Sequence, residues 1–166
     1  MARRWFVALL ALAAGAGLWR FVASRATPEE RIRAVIEAQL EGLHRGQARP
    51  ILDGLGDGFV DRSSAATRDD LRRALFLLFE ESCDPETGEF EHVGQIDPED
   101  GLQIEVAEDG ESARVRLHIL FLRREQGRGA RLVTWDALIE GELRDLDGWQ
   151  WTSTSRINHS QRHWRL

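Results

Sequence analysis

Lysine and tyrosine are both missing from this chain of 166 residues, and all 22 of its basic side chains are arginine. That shortage reads as compositional bias, yet it removes the phenolic hydroxyl from the available acids and hydrogen-bond donors. Cysteine is nearly absent too. Cys83 stands alone, which excludes an internal disulfide and any four-cysteine metal site. It lies far beyond the apolar N-terminus, so it is not placed for lipid attachment, and it reads as an ordinary unpaired thiol near a helix end. Positive charge is short as well: the formal net charge is −6. Residues 1–26 hold four arginines and no acid, so the rest carries 18 basic against 28 acidic groups. A domain that acidic repels a polyphosphate, which argues against nucleic acid as a partner. No internal repeat is present.

What is there begins with an address. "MARRWFVALLALAAGAGLWRFVAS" has a basic start, an apolar run from Trp5 to Trp19, and then Arg20. This is an export pattern rather than part of a fold. Val22 and Ser24 suit cleavage after Ser24 by size, whereas Arg20 and Phe21 do not. Read through to Ala23, the stretch is just long enough to span a bilayer if Arg20 snorkels. An uncleaved anchor and a cleaved signal both stay open. Either puts the domain outside the cytoplasm, in the periplasm if the source is a Gram-negative bacterium. The expected division is 1–26 as signal or membrane anchor, 27–159 as the domain, and 160–166 as a basic tail.

Length and the 42% hydrophobic content suit one domain with a real core. Thr27-Pro28-Glu29-Glu30 is a helix start with a capping box. Ile32, Val35, Ile36, Gln39, Leu40 and Leu43 follow at helical spacing, and Gly46 suits the stop. A short second helix is expected near Pro50 to Leu55. "LGDGFVDRSSAA" reads as a turn-rich link anchored by Phe59. Thr67 caps a third helix from Arg68 to about Glu81, with Leu71, Ala74, Leu75, Leu78 and Phe79 on its buried side. Residues 80–100, with nine acids and no arginine, read as a solvated loop; their 84–89 piece lacks the ligand spacing of a calcium loop.

The period then changes to two. Ala113, Val115, Leu117, Ile119 and Phe121 alternate with more polar residues, and Val133, Trp135, Ala137 and Ile139 do the same. Pairing Phe121 with Val133, Ile119 with Trp135, Leu117 with Ala137 and Val115 with Ile139 makes every odd pair apolar. Residues 123–131 connect these strands. A hairpin at Leu146-Asp147-Gly148 sets Leu143 beside Trp151 and Ala137 beside Ile157, turning Trp149, Trp151 and Ile157 onto the same face. An earlier strand near Leu102 to Ala107 pairs with 112–118 around Asp109-Gly110. The class is α+β: three N-terminal helices packed on a curved, mainly antiparallel sheet.

In order and spacing, "LEGLHRGQARPIL", "LGDGFVD", the capped "TRDDLRRALFLLF" and the closing "DGWQWTSTSRINH" resemble the nuclear transport factor 2-like superfamily, including its SnoaL-like domains. The resemblance covers residues 27 to about 159. It implies a cone-shaped, cystatin-like roll whose sheet wraps the helices around a pocket, and dimerisation through the other sheet face.

On that reading the pocket is lined by Leu117, Ile119, Trp135, Ala137, Trp151, Ser153 and Ser155, with Val115 and Ile157 beside them. The lining suits a small apolar ligand; the plainer alternative is that these side chains fill the core. Relatives such as ketosteroid isomerases use a carboxylate base with oxyanion donors. The resemblance places that base at Asp61 or Asp57, with His44 as a helper; either acid could be desolvated and raised in pKa, or be a turn residue. The donor tyrosine does not exist here, and the odd positions of the paired strands carry no second acid. His118, Asp136 and Asn158 form one row on the opposite face, which suits a homodimer interface. His159 and His163 are four apart without a third ligand, so no metal and no cofactor are expected. The favoured reading is non-catalytic: an exported or anchored domain that binds a small apolar ligand or acts as a dimeric interaction module. The alternative is an acid–base enzyme of isomerase or cyclase type using Asp61 or Asp57.

Overall fold

The computed structural model describes residues 26–99, 101–124 and 131–158, with side chains omitted for 124, 131–134, 157 and 158. The N-terminal segment expected to be a signal or anchor and the His159/His163 tail lie outside the described residues. Among those described, no helix is long and apolar enough to cross a membrane.

Helix α1 spans Pro28–His44, α2 Ala48–Asp53 and α3 Arg68–Ser82; strands β1 to β6 span Leu55–Asp61, His92–Ile96, Leu102–Val106, Ser112–Arg124, Arg131–Asp145 and Trp149–Asn158. The Thr27 hydroxyl accepts from the Glu30 N–H, and the Glu30 carboxylate accepts from the Thr27 N–H. That closes two of the free donors of the first turn of α1. Ile32 and Ile36 are buried at its centre. Gly46, with φ of 63°, ends the turn in the left-handed region that only glycine enters freely. Thr67 and Asp70 build a second capping box at α3.

The sheet order is β1-β6-β5-β4-β2, with β3 also on β4. It is mixed, because β1 runs parallel to β6 while every other pair is antiparallel. Both β2 and β3 lie along one edge of β4: Ile96 faces Ile119, and Leu102 faces Leu117. They amount to one strand interrupted at 97–101, where His118 bonds backbone-to-backbone with Asp97 and Gly101.

Several expectations change. The "LGDGFVD" stretch is strand β1, not a link, and the acidic run contains strand β2. The second helix sits slightly earlier than expected. The register of β4 with β5 is two residues off: Phe121 faces Trp135, Ile119 faces Ala137 and Leu117 faces Ile139. A shift of two keeps every side chain on its face, so the alternation is real while the pairing differs. Helix α3 buries nothing fully; Leu71, Leu75 and Phe79 are half-buried, while Ala74 and Leu78 are exposed. It packs mainly on β1 and α2, so its apolar side overlooks a cavity rather than the sheet.

Register changes again in β6. Leu143 faces Trp151 as expected, but a bulge follows, and beyond it Glu142 faces Ser153, Gly141 faces Thr154 and Ile139 faces Arg156. Ala137 therefore does not pair with Ile157. The bulge inverts the strand, so Thr154 and the exposed Arg156 reach the cavity side, Ser153 turns to the outer face with Glu142, and Ser155 borders both.

Candidate functional site

The core and the cavity share one wall. Ile36, Phe59, Leu117, Ile119 and Trp151 belong to the buried cluster and also line a cavity of about 580 Å³. Leu40, Leu43, Ile51, Leu55, Leu71, Leu75 and Ile139 complete its apolar wall. Gln39 is spent within the structure: its Nε2 donates to the Ile51 carbonyl at 3.0 Å, and its Oε1 accepts from Trp151 Nε1 at 2.9 Å. Polar groups gather at one end, from Asp61, Ser63, Ser64, Thr154, Ser155 and Arg156.

Asp61 organises that end. It closes β1 opposite Thr154, on the inward side created by the bulge. Its carboxylate accepts from Ser64 Oγ at 2.5 Å, Ser64 N–H at 3.1 Å, Ser63 N–H at 3.5 Å and Thr154 Oγ1 at 3.2 Å. These bonds fold the chain back through Ala65, whose φ of 59° is unusual for a residue with a Cβ and costs roughly 1–2 kcal/mol. Burial pushes the carboxyl pKa up, but the Ser64 hydroxyl, the Ser63 amide, the Thr154 hydroxyl and the Ser64 amide outweigh it, leaving Asp61 below the ordinary aspartate value. The option of a raised, base-like pKa is therefore corrected. A carboxylate with its acceptor positions filled and its pKa held down is a poor proton acceptor at neutral pH.

A pKa lowered in the folded state contributes stability above the unfolded value of about 3.9, and that contribution is lost as pH falls through the folded value. Asp61→Asn should therefore be less stable than the parent at neutral pH, with the gap closing in acid. Urea denaturation at a series of pH values checks it; a gap that is constant with pH would mean the charge at Asp61 contributes nothing.

The other expected residues separate. Asp57 is fully exposed and pairs with Arg68 at 2.8 Å, outside the cavity. His44 ends α1, its carbonyl accepts from the Phe90 N–H, and its ring is not in the cavity wall; Nδ1 is buried without a partner among the described residues. Of the expected lining, Leu117, Ile119, Trp151 and Ser155 do border the cavity. Trp135 does not: the shifted register puts it opposite Phe121, where the two rings stack at 3.5 Å. Ala137 is buried in the core, and the bulge carries Ser153 to the outer side beside Arg62 and Glu142. Thr154 and Arg156, absent from the expected lining, also border the cavity.

On the outer face His118 is held between two carboxylates, Nδ1 to Asp97 Oδ2 and Nε2 to Asp136 Oδ2, each 3.0 Å. The expected row is corrected in detail. His118 faces Leu138 and reaches Asp136 diagonally, Leu138 faces Asn158, and Asp97 comes from the interrupted edge strand. The Asn158 side chain lies outside the described residues. Burial raises the pKa of Cys83, which stays a thiol. No group of three or more metal-ligating side chains occurs among the described residues.

No protein-family model matches the sequence, and a search of curated proteins gives no match either. Solved structures do match. A Nostoc punctiforme protein of unknown function with a cystatin-like fold aligns with a TM-score of 0.57 at 10% identity, over 77% of this chain and 88% of its own. A nuclear transport factor 2-like protein with a cystatin-like fold from Novosphingobium aromaticivorans gives 0.57 at 15% identity, over 89% and 88%. A candidate scytalone dehydratase from the same organism gives 0.56 at 14%, over 82% and 89%.

Proposed function

From the nuclear transport factor 2-like, cystatin-like fold that these structures share with the chain, we propose that the domain binds a small, largely apolar molecule in its cavity and performs no chemistry on it. The observation that carries this reading is the cavity itself, about 580 Å³ and walled mainly by aliphatic side chains and Trp151. That volume lies within the range of about 300–1,000 Å³ typical of small-molecule sites. The acid–base alternative has less to stand on. Asp57 is exposed and paired, and the Asp61 carboxylate is occupied by four donors.

Leu75→Trp tests the reading. Leu75 is half-buried on α3 and borders the cavity, so a larger ring there fills space without displacing the sheet. Native mass spectrometry of the full chain should show a retained apolar mass that the variant loses, with thermal stability unchanged within a few degrees. A parent chain that carries nothing and takes up no apolar probe counts against the proposal.

We place the domain outside the cytoplasm, anchored or released, on the pattern of residues 1–24. We also assign the outer sheet face, with Asp97, His118 and Asp136, to a homodimer; light scattering at micromolar concentration that returns a monomer removes this assignment.

A further inference from the structure

The hydrogen-bonding capacity left over at the polar end of the cavity is unequal in kind. The Asp61 carboxylate is the acidic group on the cavity wall, and its acceptor positions are taken by Ser63, Ser64 and Thr154. Ser63 Oγ accepts from the Arg156 backbone N–H at 2.6 Å, which leaves the hydroxyl hydrogen to donate. Arg156 is the one cationic residue on the described wall of this cavity, and its guanidinium forms no ion pair with a described carboxylate. It lies there because the β6 bulge sets it opposite Ile139, itself a cavity residue. So the unspent groups are donors, one of them a charged planar fork suited to a carboxylate. An incoming ammonium would find the Asp61 lone pairs already used.

Resting on the ligand-binding reading above, we propose that the molecule bound is an amphipathic monocarboxylate. Its chain or ring lies along Leu40, Leu71, Leu75 and Ile119, and its carboxylate meets Arg156 and the Ser63 hydroxyl. Asp61 is a positioning residue here. It orders the 61–64 turn, which brings Ser63 to Arg156, and it does not touch the ligand.

The test uses the full chain titrated with dodecanoate, dodecanol and dodecyltrimethylammonium, three probes with one tail and different heads. Binding is read by tryptophan fluorescence, since Trp151 borders the cavity, and by native mass spectrometry. Dodecanoate should bind at least about tenfold more tightly than dodecanol, in keeping with a charge-assisted hydrogen bond. Arg156→Gln should remove that advantage, bringing the affinity for dodecanoate down to about that for dodecanol. Equal affinity for acid and alcohol, preference for the cation, or an Arg156→Gln variant that keeps the preference would each overturn the carboxylate assignment while leaving the cavity reading intact. If none of the three binds, the cavity reading itself fails, and this inference fails with it.

Discussion

Trp151→Ala should lower the stability of the domain by about 3–5 kcal/mol, the range found when a large buried side chain is removed and its space is not refilled. Three features put it in that range. The residue is 3% exposed and belongs to the same buried cluster as Ile36, Phe59 and Leu117. Its Nε1–H donates to Gln39 Oε1, and Gln39 in turn donates to the Ile51 carbonyl, so one indole ties β6 to α1 and, through α1, to α2. Its removal also leaves a part-buried amide oxygen without its partner, which adds a desolvation cost to the lost packing. Trp151→Phe separates the two contributions: it retains much of the ring, loses the N–H, and should cost about 1–2 kcal/mol less than the alanine. Urea denaturation of the three proteins measures both. A cost for alanine below about 1 kcal/mol would mean that the ring does not hold the helices to the sheet.

That bond shows how much of the molecule was legible in the sequence. Gln39 interrupts an otherwise apolar helical row, and Trp151 follows an Asp-Gly turn; each was readable alone, and the structure makes them partners. Helix starts were readable because caps are local chemistry: Thr27 with Glu30, and Thr67 before Arg68. Face was readable in β4 and β5 because alternation survives a shift of two, but the register was not, since apolar residues occupy the odd positions of 113–121 and 133–139 and several offsets satisfy them. Strands β1 and β2 were hidden for another reason. "LGDGFVD" contains two glycines and two aspartates, and "HVGQI" lies within a strongly acidic run, so neither carries the apolar pattern of a strand. They are held by pairing with β6 and β4, a long-range fact.

The cavity was half legible for a similar reason. Its aliphatic wall follows from the apolar sides of the helices and the odd face of β4, whereas its polar end depends on a bulge in "WTSTSR", where consecutive hydroxyl residues suit either face and leave the register weakly specified. Parity counted from Trp151 therefore sends Ser153 inward and Thr154 and Arg156 outward, whereas the structure puts Ser153 on the outer side and Thr154 and Arg156 on the cavity wall. The position of Asp61 opposite Thr154 follows only once that inversion is known.

Gly141→Ala tests the inversion directly, and its expected cost is about 2–4 kcal/mol, in the range for overpacking that the backbone must absorb. A Cβ at Gly141 would stand 2.5 Å from the Ser153 carbonyl oxygen and 2.7 Å from the Trp151 ring. The first contact is with backbone at the bulge, so no rotamer change relieves it. The second shows that Gly141 leaves the slot into which the indole packs while Trp151 itself pairs with Leu143. The methyl must therefore move the strand or expel the ring, and either movement displaces Thr154, which faces Gly141 and donates to Asp61. A double-mutant cycle separates the contacts. With Trp151 already alanine, Gly141→Ala should cost less than in the parent, because the ring contact is gone, but not zero, because the Ser153 carbonyl remains. Strict additivity would mean that ring and glycine do not share a slot. A neutral Gly141→Ala in the parent would mean that β6 does not bulge here, and Ser153 would then return to the inward face.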